Sequence, residues 1–203
     1  MPELYTRQEF VQKYLPYVKQ VTAGTGILPG TLMAQAIIES QGKINGTYMV
    51  GGSTLSRKAN NFFGIKAGPA WKGKIFNIDT GEYTPSGQYY TQKGAAFRSY
   101  DSVKDSISDY VNFLKTNSRY EKAGVFQAKT VLDQAVALKK AGYATALNYP
   151  STINSVFEGI KKYASDISSE ITETVKKNIG KTIAITLLVG LGITAIVMYS
   201  IKK

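Results

Sequence analysis

The sequence predicts an α+β fold that is mostly α: a helical domain carrying a small β-hairpin lobe, followed by a helical stalk and one transmembrane helix. Three observations support this reading. Apolar residues recur at helical spacing through most of the first 163 residues, a stretch between about Lys74 and Phe97 switches to alternating aromatic and polar residues, and 20 residues between Lys181 and Lys202 carry no charge. The boundaries that follow are a globular domain at 1–163, a stalk at 164–180 and a membrane segment at 181–201.

The first helix is read from Phe10, Tyr14, Tyr17 and Val18, and Gly24, Gly26, Pro29 and Gly30 break the pattern after it. A second helix is expected from Thr31 to Glu39, with Thr31 as its cap after Pro-Gly. From Gly42 to Asn60 the chain is rich in Gly and Ser with little periodicity, which reads as a loop. KIFNI, EYT and GQYYT then alternate as strands do, and Pro85, Ser86 and Gly87 supply a turn between them. Helices resume where Val103, Ile107, Tyr110, Val111 and Leu114 share one face, and again in AKTVLDQAVALKKAGY, which Gly142 stops. Ile153, Val156, Phe157, Ile160, Ala164, Ile167, Ile171 and Val175 step by three or four, so a nearly continuous helical stalk is expected over about Asp166 to Asn178.

Cysteine and histidine are both absent. That removes disulfides, catalytic thiols, Ser-His-Asp triads and the usual zinc sites, and no acidic loop of calcium type is present, so neither metal nor cofactor is expected. The chemistry left is that of carboxylates, hydroxyls, amides and lysines. The net charge is +11, of which +9 lies before Asp166. Lysines are scattered without an Arg-rich block, which argues against nucleic acid as the partner and leaves an anionic polymer, an anionic lipid or a plain soluble surface.

The carboxylate that attracts notice is Glu39. It closes the run AQAIIES, where Met33, Ala34, Ala36, Ile37 and Ile38 surround it with apolar surface. Burial disfavours the charged form and raises a carboxyl pKa, so this group is suited to donate a proton near neutral pH. A salt-bridged or capping glutamate is the structural alternative.

Five blocks in order, AQAIIES, KANNFFGIKAGPAWKGK, a hairpin containing GEY, AAFRSYDSVKDSISDYVNFLKTNSRY and KKAGYATALNYP, resemble the glucosaminidase family of peptidoglycan hydrolases, glycoside hydrolase family 73, within the lysozyme-like superfamily. The resemblance runs from about Phe10 to Tyr163. It implies a lysozyme-like helical domain and cleavage of the β-1,4 bond between N-acetylglucosamine and N-acetylmuramic acid in peptidoglycan glycan strands. It also implies Glu39 as the general acid and Glu82 of TGEYTPSG as the second carboxylate, with Asp79 as the fallback if the hairpin register slips. Asn61 and Phe63 would line the groove behind Glu39, and Tyr143 would contact substrate. Each has a bland alternative: a backbone-satisfying turn for Asn60 and Asn61, a core aromatic for Tyr143, a solvated hairpin charge for Glu82. Trp71, the lone tryptophan, either stacks on a sugar or packs under the lobe. Many relatives continue the ES block with Gly-Trp-Gly-Lys, where this chain reads SQGKI, so sugar contacts near Gln41 are expected to differ. Lytic transglycosylase chemistry, and a non-catalytic wall-binding virion protein, are the other readings.

The uncharged run TIAITLLVGLGITAIVMYSI is about as long, as a helix, as a bilayer core is thick, and lysines flank it. A lipid bilayer is therefore an expected partner and single-pass membrane attachment the expected location. Thr182, Thr186, Gly190 and Thr194 give one small-residue face suited to self-association. The first ten residues, MPELYTRQEF, show no basic-then-apolar export pattern. An enzyme fixed in the virion membrane of a bacteriophage and carried to the wall during entry would reconcile an anchor with a wall substrate.

Overall fold

A computed structural model describes residues 3–83 and 88–164, without the side chains of 82 and 83. The stalk and membrane helix expected at 164–180 and 181–201, and the turn residues Pro85, Ser86 and Gly87, lie outside the described residues apart from Ala164. Among the described residues no helix is long and apolar enough to cross a membrane.

Helix α1 (Arg7–Thr22) opens on a capping box in which the Thr6 side chain accepts from the Glu9 amide while Glu9 bonds back to Thr6. Its buried face is Phe10, Val11, Tyr14, Leu15 and Val18. Helix α2 (Pro29–Ser40) begins two residues before the expected Thr31, because Pro29 at its first turn has its φ pre-set and lacks only an N–H that would have gone unused. Thr31 is therefore inside the helix and fully buried, and Leu28, with no side-chain cap, occupies the capping position. The Leu28 amide donates to Gln134 Oε1 at 2.9 Å instead.

The loop expected over Gly42–Asn60 is a second hairpin and a helix. Strands β1 (Gly42–Ile44) and β2 (Thr47–Met49) pair antiparallel through Asn45 and Gly46, both at positive φ of 47° and 86°. Asn-Gly is the pair such a two-residue turn favours. Helix α3 (Thr54–Ala59) follows, capped by Ser53. Both elements are too short to show a period in sequence. The hairpin is folded against the end of α2: Ser40 O accepts from the Ser53 amide at 2.8 Å, and Ser40 Oγ from the Gly51 amide at 3.2 Å.

The lobe is a second antiparallel pair, β3 (Ile75–Tyr83) and β4 (Tyr89–Arg98). Backbone bonds from Ala67 to Ala96 (2.8 Å) and from Arg98 to Ile65 (3.0 Å) lay residues 65–67 along the free edge of β4. Helix α4 (Val103–Thr116) buries Val103, Ile107, Tyr110, Val111 and Leu114, the expected face. A short α5 (Ser118–Lys122), a 3₁₀ turn (Val125–Gln127) and α6 (Val131–Lys140) follow. After α6 the chain reverses at Gly142 (φ 76°), with Tyr143 N–H bonded to Leu138 O at 3.0 Å and Gly142 N–H to Lys139 O at 2.9 Å. A last helix, α7, covers 149–164 and buries Ile153, Val156 and Ile160. The helices surround α2, in which Leu32, Met33, Ala34, Ala36 and Ile37 are at most 1% exposed.

One close backbone approach in this frame is Gly42 on Gly52, where a Cβ on Gly42 would lie 2.4 Å from both the carbonyl carbon and oxygen of Gly52. Gly42→Ala is expected to destabilise the protein by about 2 kcal/mol or more, since neither backbone can yield. Gly46→Ala, whose added Cβ would meet nothing within 4 Å, is expected to cost only about 1 kcal/mol of turn strain. Urea unfolding of the two variants measures the difference.

Candidate active site

Helical spacing sets Gln35 and Glu39 one turn apart on the same side of α2. Gln35 is fully buried and spends its amide on two tyrosines: Nε2 donates to Tyr149 Oη at 2.7 Å, and Oε1 accepts from Tyr110 Oη. One polar residue in an apolar helix thereby ties α4 and α7 to α2. Tyr110 stacks on Phe63 with ring centroids 4.1 Å apart and planes 7° apart, and meets Tyr143 edge-on at 5.9 Å. Tyr143, delivered by the Gly142 turn, donates its hydroxyl to Phe63 O at 3.0 Å.

Glu39 lies at the mouth of this aromatic cluster and makes no hydrogen bond or ion pair among the described residues. Burial alone pushes its carboxyl up to about 7. Burial likewise raises Tyr110, Tyr143 and Tyr149, with the Glu39 charge adding to each. The three phenols are therefore neutral at ordinary pH, and Tyr143 is a hydrogen-bonding group and not a phenolate nucleophile.

A groove of about 630 Å³ opens over Glu39, lined among others by Phe63, Lys66, Arg119, Tyr143 and Thr145. Glu39 is the one carboxylate among its described lining residues, and Lys66 and Arg119 give it a basic edge. The fold thus brings together Glu39, Phe63 and Tyr143 of the residues expected from sequence.

Asn61 is not among the lining residues. It is fully buried, its Nδ2 donating to Ile65 O (2.9 Å) and Arg98 O (2.8 Å) while Oδ1 accepts from the amides of Ile65 (3.1 Å) and Phe63 (3.4 Å). Every donor and acceptor of its side chain is used inside the protein, so Asn61 shapes the loop that carries Phe63 and its amide has none left for a sugar. Trp71 packs under the lobe: the Arg98 guanidinium sits 4.6 Å from its ring centre and its Nε1 donates to Lys74 O at 2.9 Å. Asp79 is exposed on β3, its carboxylate holding Lys93 Nζ (2.7 Å) and the Gly94 amide (2.9 Å). Those two bonds keep its pKa low. Glu82 is placed only by register, opposite Tyr90. Sequence reasoning passed over Gln35 and Tyr149; the signal for the first is a lone amide four residues before Glu39 on an otherwise apolar helix.

The sequence pattern of the family described as glucosaminidase, mannosyl-glycoprotein endo-beta-N-acetylglucosaminidase, matches residues 15–162. The chain is 42% identical over 108 residues to the peptidoglycan hydrolase FlgJ of Salmonella typhimurium, covering 53% of this chain and 33% of that protein. It is 29% identical over 177 residues to the exo-glucosaminidase LytG of Bacillus subtilis, covering 86% of this chain and 57% of that one. It thus spans between a third and three-fifths of the length of these relatives. The solved glycoside hydrolase domain of Salmonella typhimurium FlgJ is similar at a TM-score of 0.58 and 28% identity, covering 85% of this chain and 99% of that domain.

Two outcomes follow from the geometry. Asn61→Ala should lower stability by about 3 kcal/mol in urea unfolding, because it strands several buried backbone groups. For Glu39, the folded chain keeps the proton up to about pH 7, whereas the unfolded chain releases it near 4.5. The native state therefore binds more protons in that window, and the stability this group contributes falls as pH rises through it. Glu39→Gln removes the effect, so its stability relative to the native chain should climb by roughly 3 kcal/mol between acid and mildly alkaline pH.

Proposed function

The chain belongs to the glucosaminidase family of glycoside hydrolases, and we propose that it is a peptidoglycan hydrolase cleaving the β-1,4 bond between N-acetylglucosamine and N-acetylmuramic acid. The observation that carries this reading is Glu39: a carboxyl held near pKa 7 by burial, without a counter-ion among the described residues, at the floor of an aromatic groove. Such a group is protonated often enough at neutral pH to give its proton to the leaving glycosidic oxygen, and the resulting carboxylate can take a proton back from water.

In this mechanism Glu39 is the acid, and Phe63 and Tyr143 form the wall against which the sugar rests. Glu82 is the second carboxylate. Asp79 is the weaker choice, because both of its oxygens are engaged by Lys93 and Gly94 on the exposed side of the strand. The backbone register of β3 and β4 sets Glu82 opposite Tyr90. Residues 1–163 form the catalytic domain in this reading. The segment at 164–180 is a helical stalk, and the uncharged run within 181–201 anchors the enzyme in a bilayer, its small-residue face available for self-association. The same anchor suits a lysin fixed in the membrane of a bacteriophage virion.

A second chemistry is favoured by one observation: Glu39 alone among the described lining residues is a carboxylate, which is all that lytic transglycosylase chemistry requires. Product analysis separates the two. Digestion of purified sacculi by the full chain should yield new reducing N-acetylglucosamine ends, whereas anhydro-muramic ends would establish the transglycosylase. Glu39→Gln should lose at least about 1,000-fold in rate, since an amide cannot supply the proton. Native activity should decline as pH passes about 7, where the acid form is lost. Undiminished release by Glu39→Gln would overturn both chemistries.

A further inference from the structure

The lobe hairpin carries an irregularity whose effect on side-chain direction assigns a second surface to the groove. Near its base Ile78 pairs with Ala95, but the next pair is Thr80 with Gln92, so that Asp79 faces two residues, Lys93 and Gly94. Gly94, the second of the two, takes a positive φ of 57°, a conformation glycine adopts without steric cost. One extra residue on one strand reverses which of its side chains point to each face. Without the bulge, Phe97, Ala95, Lys93, Thr91 and Tyr89 would share the inner face of β4. With it, the inner set becomes Phe97, Ala95, Gln92 and Tyr90.

Three contacts show the reversal. On the outer face, Lys93 reaches Asp79 at 2.7 Å. Tyr89 covers Gly81 there, since a Cβ on Gly81 would lie 2.5 Å from its hydroxyl oxygen. On the inner face, Gln92 Oε1 accepts from Lys66 Nζ at 2.9 Å, and Lys66 is both paired with Phe97 through the backbone and part of the lining of the Glu39 groove. Tyr90, two residues from Gln92 and 46% exposed, belongs to that same face.

We propose that Tyr90 and Gln92, with Lys66, form a glycan subsite on the lobe side of the groove, created by the Asp79–Gly94 bulge. The proposal rests on the hydrolase reading for the identity of the ligand, an N-acetylated aminosugar strand. The Tyr90 ring offers a flat apolar surface to a pyranose, and Lys66 holds the Gln92 amide by its oxygen, leaving the amide N–H groups to face hydroxyl or N-acetyl groups. Asp79 is a positioning residue in this scheme: it fastens the bulge and touches no substrate.

The test is binding of the full Glu39→Gln chain to purified sacculi and to an N-acetylglucosamine oligomer, with kinetics measured in the Glu39 parent. Tyr90→Ala should weaken binding and raise KM by roughly tenfold with kcat nearly unchanged, and Tyr90→Phe should restore both. Tyr89→Leu, on the opposite face, should bind as the parent does. Equal binding by Tyr90→Ala and the parent, or an equal loss in Tyr89→Leu, overturns the subsite. Muropeptide release by the native chain is followed in parallel. Release together with undiminished binding by Tyr90→Ala sinks the subsite and leaves the hydrolase reading, whereas Tyr90-dependent binding without release does the reverse. A parent that binds neither ligand overturns both.

Discussion

Everything at the site depends on one carboxyl being kept away from water and from hydrogen-bond donors. Desolvating a charged carboxylate costs several kcal/mol, and the protein avoids the cost by leaving Glu39 protonated for much of the time. Two neighbouring phenols have their protons committed elsewhere. Tyr110 gives its hydroxyl proton to Gln35, and Tyr143 gives its own to Phe63 O. A donor turned toward Glu39 would stabilise the anion and pull the pKa down, which would spoil the group as an acid. The stabilising side of the balance is the body of α2, where each wholly buried aliphatic side chain contributes about 1.5–3 kcal/mol.

The lobe is tied to this centre through one helix. Asp109 and Tyr110 are adjacent on α4, yet they serve different tasks: Tyr110 supports the floor of the site, while Asp109 takes both Arg98 Nη1 (2.7 and 3.0 Å) and Tyr100 Oη (2.7 Å). The pair is mostly buried, with Arg98 17% and Asp109 15% exposed, so its geometry must be good to offset desolvation. Arg98 meets that need by lying between the rings of Trp71 and Phe113, while its backbone bonds Asn61 and Ile65. Loop 61–65, the base of the lobe and α4 are therefore one rigid joint, and the distance from lobe to Glu39 is set there.

Much of the frame was legible in the sequence because it is written in periods. The faces of α1 and α4, the strands of the lobe and the stop at Gly142 all follow from spacing, and Glu39 stood out as an ion in an apolar run. What was not legible depends on pairing at a distance. Whether Asn61 faces a ligand or the backbone is decided by Arg98 and Ile65, and sequence does not say that these lie beside it. Pro29 and Thr31 compete for the start of α2, and the Leu28 amide that the Pro29 start leaves uncapped is bonded by Gln134, more than 100 residues away. The β1–β2 hairpin hid in a Gly-rich stretch because three-residue strands carry no period, although Asn45-Gly46 was its turn signal. The bulge in the lobe cannot be read at all without the pairing register.

The departure after the ES block has a structural counterpart that bears on which walls the Glu39 groove has. In place of Gly-Trp-Gly, residues 41–53 fold back on Ser40, whose carbonyl accepts from the Ser53 amide and from Ser56 Oγ (3.1 Å) and whose hydroxyl accepts from the Gly51 amide. Gly42 and Gly52 then touch, so the hairpin is closed on itself beside the end of α2. None of the described lining residues of the Glu39 groove comes from this hairpin. A site that lacks an aromatic contact from the segment following its acid must take its grip from the other walls: Phe63 and Lys66, the Tyr143 turn, and whatever the lobe presents. On the proposed reading, that places the burden on the lobe, where the direction of a few side chains on β4 is fixed by a single extra residue.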